Sequence, residues 1–276
     1  MIWLFLVLEL VHFFGVVQRI YSLFSSSTKQ WKILQEHVSN LIVKSLSQTR
    51  WESRIESVKA IKFQAPQIRD ALLELVEISE DSKIKSEAKC LATYELENFE
   101  FLLGMVIWYD ILFSINSVSK NLQKEDMHID IAIDQLKGLI SFFENYRENG
   151  LVSAMISAKE IACAMEIEPK FNEKRVICRK RNFDEKIVED QSLSPENSFR
   201  INYFIYIVDQ AISSIRSRFE QFQMYENMFG FLFNFKKLKY LSDDVLKPCC
   251  VNLENALKHG MFSDVDSLDL FSELNF

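Results

Sequence analysis

The run from Phe99 to Val118, FEFLLGMVIWYDILFSINSV, limits what this chain can fold into more than any other stretch. Phe99, Leu102, Leu103, Val106 and Phe113 form one stripe at helical spacing, and Phe101, Met105, Trp108, Leu112 and Ile115 form a second on another side. A helix apolar on nearly all sides is either enclosed by protein or placed in a membrane. The run also carries Glu100, Asp110, Ser114 and Asn116, whereas a span needs about 20 predominantly apolar residues. The expectation is a central core helix. Asp110 is the notable acid in it, and an Arg from another helix, Arg50 or Arg54, is its expected partner.

The rest of the chain supports an all-α body. It has 276 residues, enough for one large domain or two small ones. Only six Gly and four Pro are present, too few turn formers for a many-stranded sandwich or barrel and no basis for a Gly-rich phosphate loop. The 23 Phe supply large side chains to fill a core. A net charge of −7 makes the chain a poor general binder of nucleic acid, because phosphate contacts need clustered Lys and Arg. The five Cys are odd in number and follow no disulfide or zinc spacing, so reduced thiols are expected.

Met1 to Val17, MIWLFLVLELVHFFGVV, resembles a signal-peptide core but has no basic start and contains Glu9 and His12. A buried or partner-facing helix, a signal or anchor, and a wrong start codon all remain open. Ser25 to Thr28 should end the first helix and cap a second over Lys29 to Val38. Leu41 to Leu46 suggests a brief extended segment. Thr49 and Glu52 have capping-box spacing before a helix carrying Trp51, Ile55, Val58 and Ile61, and Pro66 should restart that helix. Lys85 to Gln123 reads as one very long helix or two joined near Thr93. Ile129 to Tyr146 and Leu151 to Met165 read as two helices separated by a turn at Asn149-Gly150.

Phe171 to Pro195 differs from the rest. Its first half is basic, with Lys174, Arg175, Arg179, Lys180 and Arg181, and its second half is acidic, with Asp184, Glu185, Glu189 and Asp190. It reads as a long excursion from the helical body, with an extended piece near Arg175 to Cys178. The basic cluster suits phosphate contact or a nuclear import signal; a solvated loop balanced by its own acids is the competing reading. Ser198 to Phe235 should be a long helix with Ile201, Phe204, Ile205, Val208, Ile212, Ile215 and Phe219 in one stripe. Leu241 to Leu257 should be a helix broken by Pro248. The tail DVDSLDLFSEL suits either a docking segment or a terminal helix packing back. No G-x-S-x-G, H-E-x-x-H or metal-ligand spacing occurs, so catalytic residues are not assigned.

At Leu46 to Lys59, LSQTRWESRIESVK, the chain resembles hAT-type transposase-derived proteins, in the zinc finger MYM-type protein 1-like and TTF-type zinc finger group. The block is a Thr-Arg-Trp followed by a second Arg on a helix, here Thr49, Arg50, Trp51 and Arg54. The similarity takes in FFGVVQRIYSLFSSSTKQWKIL upstream. Downstream it includes FEFLLGMVIWYDILFSINSVSKNLQ, IAIDQLKGLISFFENYRENG, AKEIACAMEIEP and INYFIYIVDQAISSIRSRFEQF, and it ends at DSLDLFSEL.

The resemblance implies a large multi-helix domain of the kind inserted into the ribonuclease-H-like core of hAT transposases, without a complete core. Residues 1–47 correspond to connecting helices with a divergent hydrophobic start, and residues 48–276 to the inserted domain. In the family an Asp, Asp, Glu triad binds two metals; by resemblance the Asp pair falls before Phe13 and the Glu after Phe276. The expectation is therefore no enzyme activity, and no cofactor unless Mg or Mn serves a complete enzyme. The implied partners are DNA or a homologous transposase-like chain, in the nucleus, with no small-molecule substrate. Lys174, Arg175, Arg179, Lys180 and Arg181 are the first candidates for DNA contact, then Arg50 and Arg54. A truncated gene model of a complete transposase is the alternative, and a membrane-anchored helical protein is a further one.

Overall fold

The computed structural model describes residues 7–38, 41, 43–46, 51–125, 127–172, 194–233, 238–260 and 262–274, with the backbone alone at 7–11 and 51. The fold is all-α. Among the described residues the α-helices of eight or more residues, with the short α7, are α1 (Val7–Ser25), α2 (Thr28–His37), α3 (Trp51–Ile78), α4 (Ser82–Lys89), α5 (Phe99–Leu122), α6 (Ile129–Ala164), α7 (Pro195–Phe199), α8 (Tyr206–Phe233), α9 (Asp243–Leu257) and α10 (Ser267–Leu274). Two π-helical segments interrupt this series, Cys90–Leu96 before α5 and Arg200–Ile205 before α8. A small hairpin of β1 (Lys258–His259) and β2 (Phe262–Ser263) lies between α9 and α10, with Gly260 at φ 65° in its turn.

The chain divides into two compact units, one of Met1–Ser117 with Phe142–Ile212, the other of Val118–Ser141 with Ser213–Phe276. The first unit is built on α5. Phe99, Phe101, every residue from Leu102 to Trp108, Ile111 and Leu112 are buried. Phe113 is the exception to the expected stripe: it is 56% exposed and stacks on Tyr109. The described part of α1 belongs to this core. Phe13, Phe14, Val16, Val17 and Ile20 are buried, and the Phe13 and Phe14 rings lie 6.4 and 5.9 Å from that of Trp108. Among the described residues one helix, Phe99–Leu122, is long and apolar enough to cross a membrane, and 56% of its most apolar window is buried.

The helix boundaries have local causes. Ser27 caps α2, its hydroxyl accepting from the Lys29 amide. Gln64 leaves helical geometry (φ −134°, ψ 26°) two residues before Pro66, where the proline ring forces a break. The Gln64 side-chain amide donates to the carbonyls of Leu41 (2.7 Å) and Ala60 (3.4 Å), so the disrupted turn keeps a donor. Leu41 and residues 43–46 are neither helix nor strand, and Ser57 pins them to α3 through the Lys44 backbone. The stretch from Lys85 is two helices; their junction spans the π segment and ends at Asn98, whose side chain accepts from the Glu100 amide.

Two expected breaks are absent. The turn at Asn149-Gly150 does not form, and α6 runs straight through it. A Cβ at position 150 would overlap the Tyr146 ring, so this glycine makes room for an aromatic one turn back rather than reversing the chain. Pro248 lies inside α9, and the helix continues past it at the loss of one backbone donor. Ile201 also departs from expectation: it is exposed, whereas Phe204, Val208, Ile212 and Ile215 are buried.

The second unit has its own core of Phe231, Leu246, Cys250 and Leu253. Leu270, Phe271 and Leu274 of α10 pack against it, and the Lys247 ammonium lies 5.0 Å from the Phe271 ring centroid. The acidic tail is thus a terminal helix packed back rather than a free docking segment, although Leu268 stays exposed.

Candidate functional site

The structure separates the residues singled out from the sequence. Thr49, Arg50, Lys174, Arg175, Arg179, Lys180 and Arg181 lie outside the described residues, as does the extended piece expected at 175–178. Trp51 opens α3. Arg54 lies on the same helix with its guanidinium 5.4 Å from the Phe14 ring centroid, and burial lowers its pKa. A guanidinium over an aromatic face keeps favourable electrostatics while partly desolvated. Arg54 is therefore packed against α1.

Arg54 is not the described partner of Asp110. Lys62, two helical turns further along α3, places its ammonium 3.5 Å from Asp110 Oδ1, and the Tyr146 hydroxyl donates to Oδ2 at 3.1 Å. The Lys62 side chain is 14% exposed, and its ammonium also sits 4.2 Å from the Tyr109 ring centroid. Burial pushes the Asp110 carboxyl above the usual carboxylate range, against the opposing pull of Lys62 and Tyr146. Burial, and then the neighbouring Asp110, push the Tyr146 phenol up strongly. These three groups satisfy one another and close a polar gap between helices.

A cavity of about 300 Å³ in the first unit brings together residues that sequence reasoning did not connect. His12 of α1, Asn98 and Glu100 at the start of α5, and Ser198 and Asn202 near the second π segment supply its polar wall. Phe13, Phe101, Phe199 and Tyr203 supply the aromatic wall. The second π segment contributes Asn202 and Tyr203 to this cavity. Such segments cost hydrogen-bond geometry and recur at functional sites.

The aromatic wall is held in place. Tyr203 Oη accepts from the Trp108 indole N–H at 3.1 Å, and a Cβ at Gly104 would come within 2.7 Å of that oxygen. Gly104 therefore makes the space in which the phenol sits. Phe199 stacks on Tyr203 with ring centroids 4.7 Å apart and meets Phe171 at 5.6 Å; Phe171 in turn meets Phe99 at 5.4 Å. On the polar side, Glu100 Oε1 accepts from the Asn172 amide at 3.0 Å, and Ser198 Oγ accepts from Asn202 Nδ2 at 3.1 Å.

No protein-family model, no curated protein and no solved structure matches this chain. Among the described residues no group of three or more His, Cys, Asp or Glu is placed to hold a metal ion. Glu100 is an acid within the apolar run, and His12 a polar residue in the apolar stretch Met1 to Val17. His12, Asn98, Ser198 and Asn202 carry no shared motif.

Proposed function

We infer that this chain is a non-catalytic helical interaction module, derived from the inserted domain of an hAT-type transposase, that engages DNA or a homologous chain in the nucleus. The resemblance at Thr49, Arg50, Trp51 and Arg54 supports the origin, and the all-α fold agrees with an inserted helical domain. One observation carries the binding reading. The sequence between Asn172, whose amide donates to Glu100, and Phe199, whose ring meets that of Phe171, holds the most basic cluster of the chain. Lys174, Arg175, Arg179, Lys180 and Arg181 fall within eight sequence positions of a chain that is acidic overall. Clustered cations of this kind are what phosphate contact requires.

The experiment is duplex binding by the purified chain over a range of salt, with and without Ala at those five positions. The expected result is weaker binding by the variant and a shallower salt dependence, by roughly 0.9 in log–log slope per lost phosphate contact. Unchanged binding removes the basic cluster from the reading. The same preparation, given magnesium or manganese, is expected to leave DNA strands uncut and unjoined; strand cleavage or transfer would overturn the non-catalytic part.

A further inference from the structure

The geometry points to the cavity between α1, the start of α5 and the second π segment as a binding site for an organic cation, the ammonium or guanidinium of a basic peptide side chain. This inference does not rest on the DNA reading. Its first support is charge. Among the described residues no Lys or Arg lines the cavity, and Glu100 is the one carboxylate that does. Glu100 is committed to the Asn172 amide through Oε1 alone, and a carboxylate has acceptor capacity for more than one donor. Its second support is the aromatic wall. Phe13, Phe101, Phe199 and Tyr203 line one small space beside that carboxylate. Ring faces attract cations, and the attraction grows as water is excluded.

Rigidity is the third support. Trp108 and Gly104 fix Tyr203, and the stack of Tyr203 on Phe199 fixes the neighbouring ring. A wall set before binding loses little entropy when the ligand arrives. The volume of about 300 Å³ suits one long side chain rather than a folded surface. One Asn202 amide N–H donates to Ser198 Oγ, and the amide carbonyl oxygen supplies an acceptor. The lining amides, hydroxyl and imidazole can donate as well as accept, so the preference for a cation over an anion or a neutral chain of equal length comes from the Glu100 charge and the aromatic rings.

The test uses the full chain with ¹⁵N-labelled tryptophan. The Trp108 indole N–H, assigned by its loss in Trp108→Phe, bonds directly to the cavity wall and reports occupancy. The probes are the Nα-acetyl methylamides of lysine and arginine, with those of norleucine and glutamate as neutral and anionic controls. Saturable shifts are expected with lysine or arginine, and the relative affinities identify which cation the site prefers. Glu100→Gln keeps an acceptor for the Asn172 amide but removes the charge, and should weaken binding by about tenfold or more. His12→Lys places a positive charge at the exposed rim and should weaken it similarly, so the result stands even if one variant fails to fold. Equal binding of norleucine, no saturable shift with either cation, or unchanged affinity in the folded variants would overturn the assignment.

Discussion

Asp110 shows how a single buried charge is managed in this fold. Its carboxyl titrates above the ordinary range because burial outweighs the help from Lys62 and Tyr146. The folded chain therefore holds that proton at pH values where the unfolded chain has released it. Stability from this group is thus lost as pH rises from the unfolded value through the folded one. Removing the Lys62 ammonium takes away the cation that pulls the carboxyl down, so the costly window extends upward. Lys62→Met is expected to lose about 1–3 kcal/mol near neutral pH, the usual cost of leaving a buried polar group without its partner. Its deficit relative to the parent should shrink as pH falls below about 3, where Asp110 carries a proton in both states. Urea unfolding of both proteins across pH measures this. A deficit that stays constant with pH would show that Lys62 acts through its packing on Tyr109 alone.

At the scale of elements, the end of α6 offers a prediction with a definite sign. Glu166 has φ 57°, in the left-handed region. The Ile167 amide donates to the Ala162 carbonyl at 2.8 Å, closing the helix in the manner of a Schellman cap. Arg69 adds a donor to the Met165 carbonyl at 3.2 Å and an ion pair to Glu97. A side chain in the left-handed region is penalised, and glycine is not. Glu166→Gly should therefore stabilise the chain by about 0.5–1 kcal/mol, and Glu166→Val should destabilise it by a similar amount. The readout is the urea midpoint at unchanged slope. Stabilisation by both substitutions would mean that the Glu166 charge, rather than its backbone, governs the site.

For the molecule as a whole, the two units call for separate measurement. In the second, α10 contributes Leu270, Phe271 and Leu274 to a core whose buried members come from α8 and α9. Burying a carboxylate there is costly without a partner. Leu270→Asp should release α10 and lower hydrogen-exchange protection of the Ser267–Leu274 amides by about tenfold or more. Unchanged protection would mean that α10 is held by polar contacts, among them the Ser267 amide donating to Glu254 at 3.3 Å. In the first unit, the described part of α1 packs with Trp108 at the centre of the core. That packing buries Phe13, Phe14, Val16 and Val17 of the apolar stretch.

The sequence by itself determined the all-α fold and the place of the central helix. Apolar spacing of three and four residues, few Gly and few Pro are local properties, and local backbone preference is enough to read them. The break before Pro66 was legible for the same reason. Other features waited for the tertiary structure. Asn149-Gly150 has the composition of a turn, yet Tyr146 lies over Gly150 within a continuous helix, and α9 runs through Pro248. Asp110 could be expected to take a cation, but choosing Lys62 over Arg54 depends on the register of α3 against α5. The cavity draws on His12, Asn98, Glu100, Ser198 and Asn202, which lie far apart along the chain. Only helix packing places them together, because which side chains converge depends on how helices cross, and spacing within one helix carries no record of that.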